Sequence, residues 1–312
     1  MSAAAFAGPA AGAGAAVTDE VPLWWVDAFG DGPFTGNPAA VCLLERPADE
    51  RWMQRLAAEL RLSETAYVWP VDGSEKSPNW TGELSLRWFT PVAEVDLCGH
   101  ATLAAAHALL EAGRAAAGSR LHFRTRSGLL IAEVSATLVS IDLPADTPRT
   151  IERPGGFGTD RPPFGLSGEP VAFATGRTDL VVVLGDAAEV AAAEPDLASI
   201  AAARYRGVVL TAAGGPDGAD YVLRFFGPAV GVPEDPVTGS AQCLLAPYWA
   251  HRLGRSSFAV RQLSPRGGRL EVALDGDRVV LGGRAATVLT GRVRPAHGAW
   301  SAVPGPAGRG VC

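Results

Sequence analysis

The sequence predicts an α+β protein built twice, each half a curved sheet wrapped around one buried helix. Three observations lead there. The chain resembles itself at long range. Each repeat contains a helix that is apolar nearly all round, so protein must surround it. Short strand-like segments crowd both sides of each helix. A two-layer α/β domain with both helices in its core also fits the pattern.

The elements follow in order. Residues 1–20 are rich in Ala and Gly and read as a tail. The first half, 21–140, opens with strands at 23–28 and 39–44. An amphipathic helix follows from Ala48 to Leu60. Leu62-Ser63-Glu64-Thr65-Ala66-Tyr67-Val68-Trp69 reads as a turn into a buried strand. A strand at 84–89 precedes the central helix, Gly99 to Gly113, and strands at 120–125, 129–134 and 138–143 complete the set. The second half, 141–295, has strands at 171–174, 180–184, 207–211, 220–226, 257–262, 269–274, 278–282 and 285–293. A short helix is expected at 196–204 and the central helix from Gly239 to Gly254. The last strand is free to return to the first half. Residues 296–312 read as a second tail. Gly113 and Gly254 suit left-handed helix ends.

The repeat is clearest around the central helices. Arg87-Trp88-Phe89-Thr90-Pro91 and an acidic loop lead to Asp96-Leu97-Cys98-Gly99-His100-Ala101-Thr102-Leu103. Arg224-Phe225-Phe226-Gly227-Pro228 and a loop lead to Asp235-Pro236-Val237-Thr238-Gly239-Ser240-Ala241. The strand at Leu62–Trp69 aligns with Gly176–Leu184. In that alignment the helix at 196–204 follows its strand, whereas Ala48–Leu60 precedes its own.

Composition narrows the function. The 312 residues are 47% hydrophobic, enough for a large core, and carry a net charge of −6. No basic stripe with interleaved aromatics suggests a nucleic-acid partner. Lys76 is the only lysine and lies in a polar stretch, which argues against a lysine-bound pyridoxal cofactor. Cys42, Cys98, Cys243 and Cys312 lack paired metal spacing, and reduced thiols in a cytoplasm are expected. No apolar run is long enough to span a membrane. Neither a dinucleotide fingerprint nor a phosphate-binding Gly-Lys-Ser/Thr loop occurs. Cys98 with His100 is too small a ligand set for a metal, and none is expected.

Each central helix begins with small residues, Gly99 and Ala101 in one, Gly239, Ser240 and Ala241 in the other. Free N–H groups and the positive dipole end there would hold a carboxylate if both helix starts faced one cleft. Tight turns and helix packing explain the same glycines. His100 is the acid–base candidate nearest neutrality, and a packing histidine otherwise. His107 is assigned to the core. Glu64, at the entry to an apolar strand, is a solvated turn residue or a buried acid with raised pKa. Asp235, between prolines, is a stiffly held carboxylate or a helix cap; Asp96 is read as a cap. Cys98 at a helix start is a base with lowered pKa or a small buried hydrophobe.

Phe34-Thr35-Gly36-Asn37-Pro38-Ala39-Ala40-Val41, Leu62-Ser63-Glu64-Thr65-Ala66, Arg87-Trp88-Phe89-Thr90-Pro91, Cys98-Gly99-His100-Ala101-Thr102-Leu103 and Glu234-Asp235-Pro236-Val237-Thr238-Gly239-Ser240-Ala241 together resemble the PhzF (phenazine biosynthesis-like) family in order and spacing. The resemblance runs from about Trp24 to Val293. It implies the diaminopimelate-epimerase-like fold, with two pseudo-symmetric domains and a cleft between them, and a homodimer. It implies a cofactor-independent isomerase acting on a small carboxylated substrate. Glu64 would be the proton shuttle, with His100 and Asp235 in the catalytic set. Gly99, Gly239 and Ser240 would hold substrate, joined by Thr238 and Asn37. Cys98 would be a secondary base. The related epimerases use one cysteine per half, and here the second half has Asp235-Pro236-Val237-Thr238-Gly239 in that place. The alternatives are an epimerase or intramolecular cyclase of a natural-product acid, or a non-catalytic binding or scaffold protein on the same fold.

Overall fold

In the computed structural model the described residues are 20–71, 79–80, 82–154 and 162–295. Lys76, His297 and the tail segments 1–19 and 296–312 lie outside them.

The first half contains β1 (Val21–Ala28), β2 (Asn37–Leu43), α1 (Glu50–Leu60), β3 (Glu64–Pro70), β4 (Glu83–Phe89), β5 (Glu94–Val95), α2 (Gly99–Glu111), β6 (Arg120–Thr125), β7 (Gly128–Val134) and β8 (Val139–Pro144). The second contains β9 (Arg149–Ile151), β10 (Ala172–Thr175), β11 (Asp179–Val183), α3 (Ala187–Ala192), α4 (Leu197–Ala202), β12 (Gly207–Ala213), β13 (Tyr221–Gly227), β14 (Val232–Asp235), α5 (Gly239–Leu253), β15 (Ser257–Gln262), β16 (Gly268–Asp275), β17 (Arg278–Gly283) and β18 (Ala285–Val293). A division at 140/141 falls inside β8; the connection between halves is 145–148.

The pairing repeats strand for strand. β1–β2 is antiparallel and β2–β3 parallel, as are β10–β11 and β11–β12. β3–β4 and β4–β5 are antiparallel and β4–β6 parallel; so run β12–β13, β13–β14 and β13–β15. β6–β7–β8 matches β15–β16–β17, and β8 pairs with β17 to join the halves. β9 pairs with β10, and β18 crosses over to β1.

This register corrects the alignment drawn from sequence. β3 corresponds to β12, not β11. In β3, Thr65 faces Phe89, and in β12, Val208 faces Phe226. A parallel strand pair needs a crossover, and α1 supplies it before β3 as α3 and α4 do before β12. Both apolar runs read alike as buried strands, so hydrophobicity alone aligned the wrong one. The helical signal at 196–204 forms α4; α3, β5, β9 and β14 were too short to read.

Local chemistry sets the helices. Asp49 caps α1, accepting from the N–H groups of Arg51 and Trp52 at 2.9 and 3.2 Å. α2 ends with Gly113 at φ 67°, its N–H on Leu110 O and that of Arg114 on Leu109 O. α5 ends at left-handed Gly254. Pro247 sits inside α5, and its missing N–H leaves Cys243 O free. The Asp146 N–H takes that carbonyl at 2.9 Å. One core cluster packs around α2 and α5, and two smaller ones lie under α1 and under α3 with α4.

Two half-buried ion pairs repeat as well. Arg87 grips Glu94 with both Nε and Nη2 at 2.6 Å, and Arg224 grips Glu234 likewise at 2.7 and 2.9 Å. Each guanidinium lies over a phenylalanine, Phe89 and Phe226, about 5 Å from the ring centre.

Candidate active site

The starts of α2 and α5 meet. A Cβ added to Gly99 would lie 3.6 Å from the Gly239 Cα, and the reverse is equally close. Neither glycine has a left-handed φ. Their value is the close approach of two helix N-termini. The usual capping oxygen is replaced by a thiol at Cys98, and Thr238 directs its hydroxyl elsewhere.

Glu64 opens β3, beside Ala39 of β2. Its Oε2 is 3.2 Å from His100 Nε2, yet neither atom completes a well-angled hydrogen bond. Cys98 Sγ lies 3.5 Å from the other imidazole nitrogen, Nδ1. Burial sets the protonation of all three. It lifts the Glu64 carboxyl to about 8, aided by the charge of Asp235 and opposed by a Cys98 hydrogen bond. It pushes His100 down to about 3, so the ring is neutral near pH 7. It also raises the Cys98 thiol, and the Glu64 charge adds to this. Of the two readings open for Cys98, a thiol lowered by the helix start and a small buried hydrophobe, the second fits, because desolvation outweighs the dipole. At neutral pH, Glu64 is a protonated acid beside a neutral imidazole and a thiol.

Asp235 lies on β14 rather than in a loop. Its Oδ1 accepts from Asn37 Nδ2 at 2.8 Å and its Oδ2 from Thr238 Oγ1 at 2.5 Å. Burial raises it to about 6, while the Thr238 and Asn37 hydrogen bonds and the Arg206 charge pull it down. Two carboxyls within electrostatic reach thus differ, Glu64 holding its proton while Asp235 is mostly ionised at neutral pH.

Asn37 and Thr238 spend their hydrogen-bonding groups on protein partners around Asp235. Fully buried Asn37 gives its amide N–H groups to Asp235 and Val237 O, and its oxygen accepts from Ser63 Oγ at 3.1 Å. Thr238 spends its N–H on Gln262 Oε1 and its hydroxyl on Asp235. Gln262, which sequence reasoning missed, also donates to Asp235 O at 2.7 Å and so clamps the approach to α5. Nothing local marks it, since it arrives from β15.

Other candidates fall outside the cluster. The Asp96 side chain is 75% exposed, near Arg126. By register Asp235 pairs with Phe225 where Val95 pairs with Trp88, so its first-half counterpart is Val95. His107 is half-buried rather than core, within 3.1 Å of Thr287 Oγ1 on β18 and near Glu111. Glu64 supplies the third donor that Cys98 and His100 lacked. The ligand atoms of the three lie within 4.8 Å of one another. Carboxylate, thiol and imidazole are ligands a zinc ion accepts, so the count of two read from sequence is corrected to three.

Residues 26–291 match the phenazine biosynthesis-like protein family, PhzC-PhzF. An uncharacterized isomerase of Pseudomonas aeruginosa is 43% identical over 87% of this chain and 98% of its own. One from Halalkalibacterium halodurans is 40% identical over 86% of this chain and 96% of its own. The chain belongs to the PhzC-PhzF family. Its enzyme class is isomerase. The crystal structure of a PhzF-family protein of Enterococcus faecalis superposes with a TM-score of 0.78 at 37% identity, covering 88% of this chain and 99% of that one. The duplicated architecture is the diaminopimelate-epimerase-like fold of this family. Among the described residues no helix is long and apolar enough to cross a membrane.

Proposed function

We propose that this PhzF-family protein moves a proton on a small carboxylated substrate without a cofactor, with Glu64 as the shuttle. The observation that carries the reading is a buried carboxyl lifted to about 8, set beside the facing starts of α2 and α5. An acid with pKa near the working pH serves both as base and as acid. Ionised Glu64 takes a proton from a carbon alpha or vinylogous to the substrate carboxylate. The electron pair left behind is delocalised toward that carboxylate, where helix N–H groups oppose the developing charge. Protonated Glu64 then returns the proton to another carbon. Neutral His100 orients the Glu64 carboxyl, and Asp235 fixes the loop leading into α5.

A single shuttle is favoured over two opposed bases. The second-half counterpart of Glu64 is Gly207, and that of Cys98 is Thr238. Neither can act as a base at neutral pH. The homodimer expected from the family belongs to the same reading, and sedimentation equilibrium tests it.

The decisive experiment is incubation in D2O with trans-2,3-dihydro-3-hydroxyanthranilate and, separately, with a panel of amino and hydroxy acids, followed by NMR. Deuterium is expected at carbon in one of these, and not with Glu64→Gln. Exchange that persists in the folded variant would remove Glu64 from the mechanism.

A further inference from the structure

The duplication assigns a counterpart to every site residue, and one of them is a cation. Glu64 corresponds to Gly207, so Ser63 corresponds to Arg206. Gly99 corresponds to Gly239, so His100 corresponds to Ser240. In the first half Glu64, the first residue of β3, reaches α2 at His100, 3.2 Å away. In the second half the residue before β12 reaches α5 through Arg206 Nη2 and Ser240 Oγ, also 3.2 Å apart. The two contacts stand at adjacent positions of the repeat, since Arg206 matches Ser63 and Glu64 matches Gly207, and both touch the second residue of a central helix. One carries an acid and the other a guanidinium.

Arg206 is held as a fixed charge rather than as a mobile surface residue. Its Nε donates to Asp179 Oδ1 at 2.9 Å and its Nη2 to Asp179 Oδ2 at 2.5 Å. Phe225 lies beneath its guanidinium, 5.3 Å from ring centre to Cζ. No side chain can stand at 207 itself, because a Cβ there would meet the Phe225 ring at 2.2 Å. The Arg206 side chain keeps 37% of its surface exposed, and its Nη1 makes no hydrogen bond among the described residues. Its charge is also felt at Asp235, which places it within electrostatic reach of the same cluster.

We propose that Arg206 receives the substrate carboxylate, its free Nη1 and the Ser240 hydroxyl forming an anion subsite across the Gly99–Gly239 junction from Glu64. Calling that anion the substrate rests on the proton-transfer reading; the anion subsite itself does not. A planar fork with an unused N–H edge matches a carboxylate oxygen pair. Placing the carboxylate there sets the acidified carbon between the cation and the Glu64 shuttle. It gives a use to the opposite charges that the two halves carry at adjacent positions of the repeat.

Acetate and its neutral isostere acetamide test this without knowing the substrate. Arginine side-chain 15N NMR on the full chain should show a saturable shift of the Arg206 Nη resonances with acetate and none with acetamide. Arg206→Gln leaves buried Asp179 unpaired and risks the fold, so Asp179→Asn/Arg206→Gln is run beside it. Both variants, where folded by circular dichroism, should weaken acetate binding about tenfold or more. Glu64→Gln should still bind acetate at Arg206. Equal response of Arg206 to acetate and acetamide, no response to either, or unchanged acetate affinity in the folded double variant would overturn the proposal. Acetate binding without deuterium exchange would count against the proton-transfer reading alone. Exchange without acetate binding would count against Arg206 alone.

Discussion

The two half-sites differ far more than the two half-folds. The strands pair alike, the central helices start alike, and even the Arg87–Glu94 and Arg224–Glu234 pairs repeat. Chemistry does not. The first half gathers Glu64, Cys98 and His100, while the second places Gly207, Thr238 and Ser240 in the same positions. A duplicated frame fixes where groups can stand, and the side chains decide which half is acidic.

The strongest way to break this comparison is to remove the acid. Glu64→Gln should lower turnover by about 10²–10⁴-fold, the usual worth of general acid–base catalysis, in a variant that stays folded by circular dichroism. Retained turnover would show that the asymmetry is not catalytic. Next comes the second-half counterpart. Gly207→Ala forces a Cβ against the Phe225 ring and should cost about 1–3 kcal/mol of stability in denaturant unfolding. Adding Phe225→Ala should recover less than it relieves, since it opens a cavity.

Titration sharpens the contrast. Glu64 is raised from 4.5 to about 8. Between those values the folded protein holds a proton that the unfolded chain has shed, so stability is greatest below the lower value and falls as pH rises through about 8. His100, lowered from 6.5 to about 3, acts in the opposite window and loses stability as pH falls below 6.5. The melting temperature of Glu64→Gln should therefore gain on wild type between about pH 5 and about pH 9. A constant gap would show that Glu64 is not buried in its acid form. The smallest effect is expected from Cys98→Ala, which should keep most activity because burial holds the thiol protonated. A loss comparable to that of Glu64→Gln, measured by the same exchange assay, would make the thiol a working partner.

Much of the fold was legible because its signals are local. The central helices announced themselves by apolar faces and terminal glycines, and most strands by short apolar runs. Glu64, His100 and Asp235 stood in recognisable motifs. The register of the repeat was not legible, because β11 and β12 are both continuous apolar runs. Arg206 and Gln262 were missed for a related reason. Each reaches the start of α5 through tertiary contacts, from residues 34 and 24 positions away. The protonation of Cys98 was left open between two readings because depth of burial is a property of the packed core, whereas the helix start is a property of the sequence.

The return of β18 to the first strand has a consequence for how the molecule comes into being. β1 lies against β18, with Val21 facing Val293, so the first strand made must wait for the last. Until then it presents an open edge to any other chain. Contacts of such sequence separation are slow to form, and nascent or truncated chains will be prone to clumping during that delay. Once closed, the two halves are joined twice by sheet, through β8 on β17 and β18 on β1. Swinging them apart would tear hydrogen-bonded sheet, so the halves are held to one another by backbone and not by side-chain packing alone.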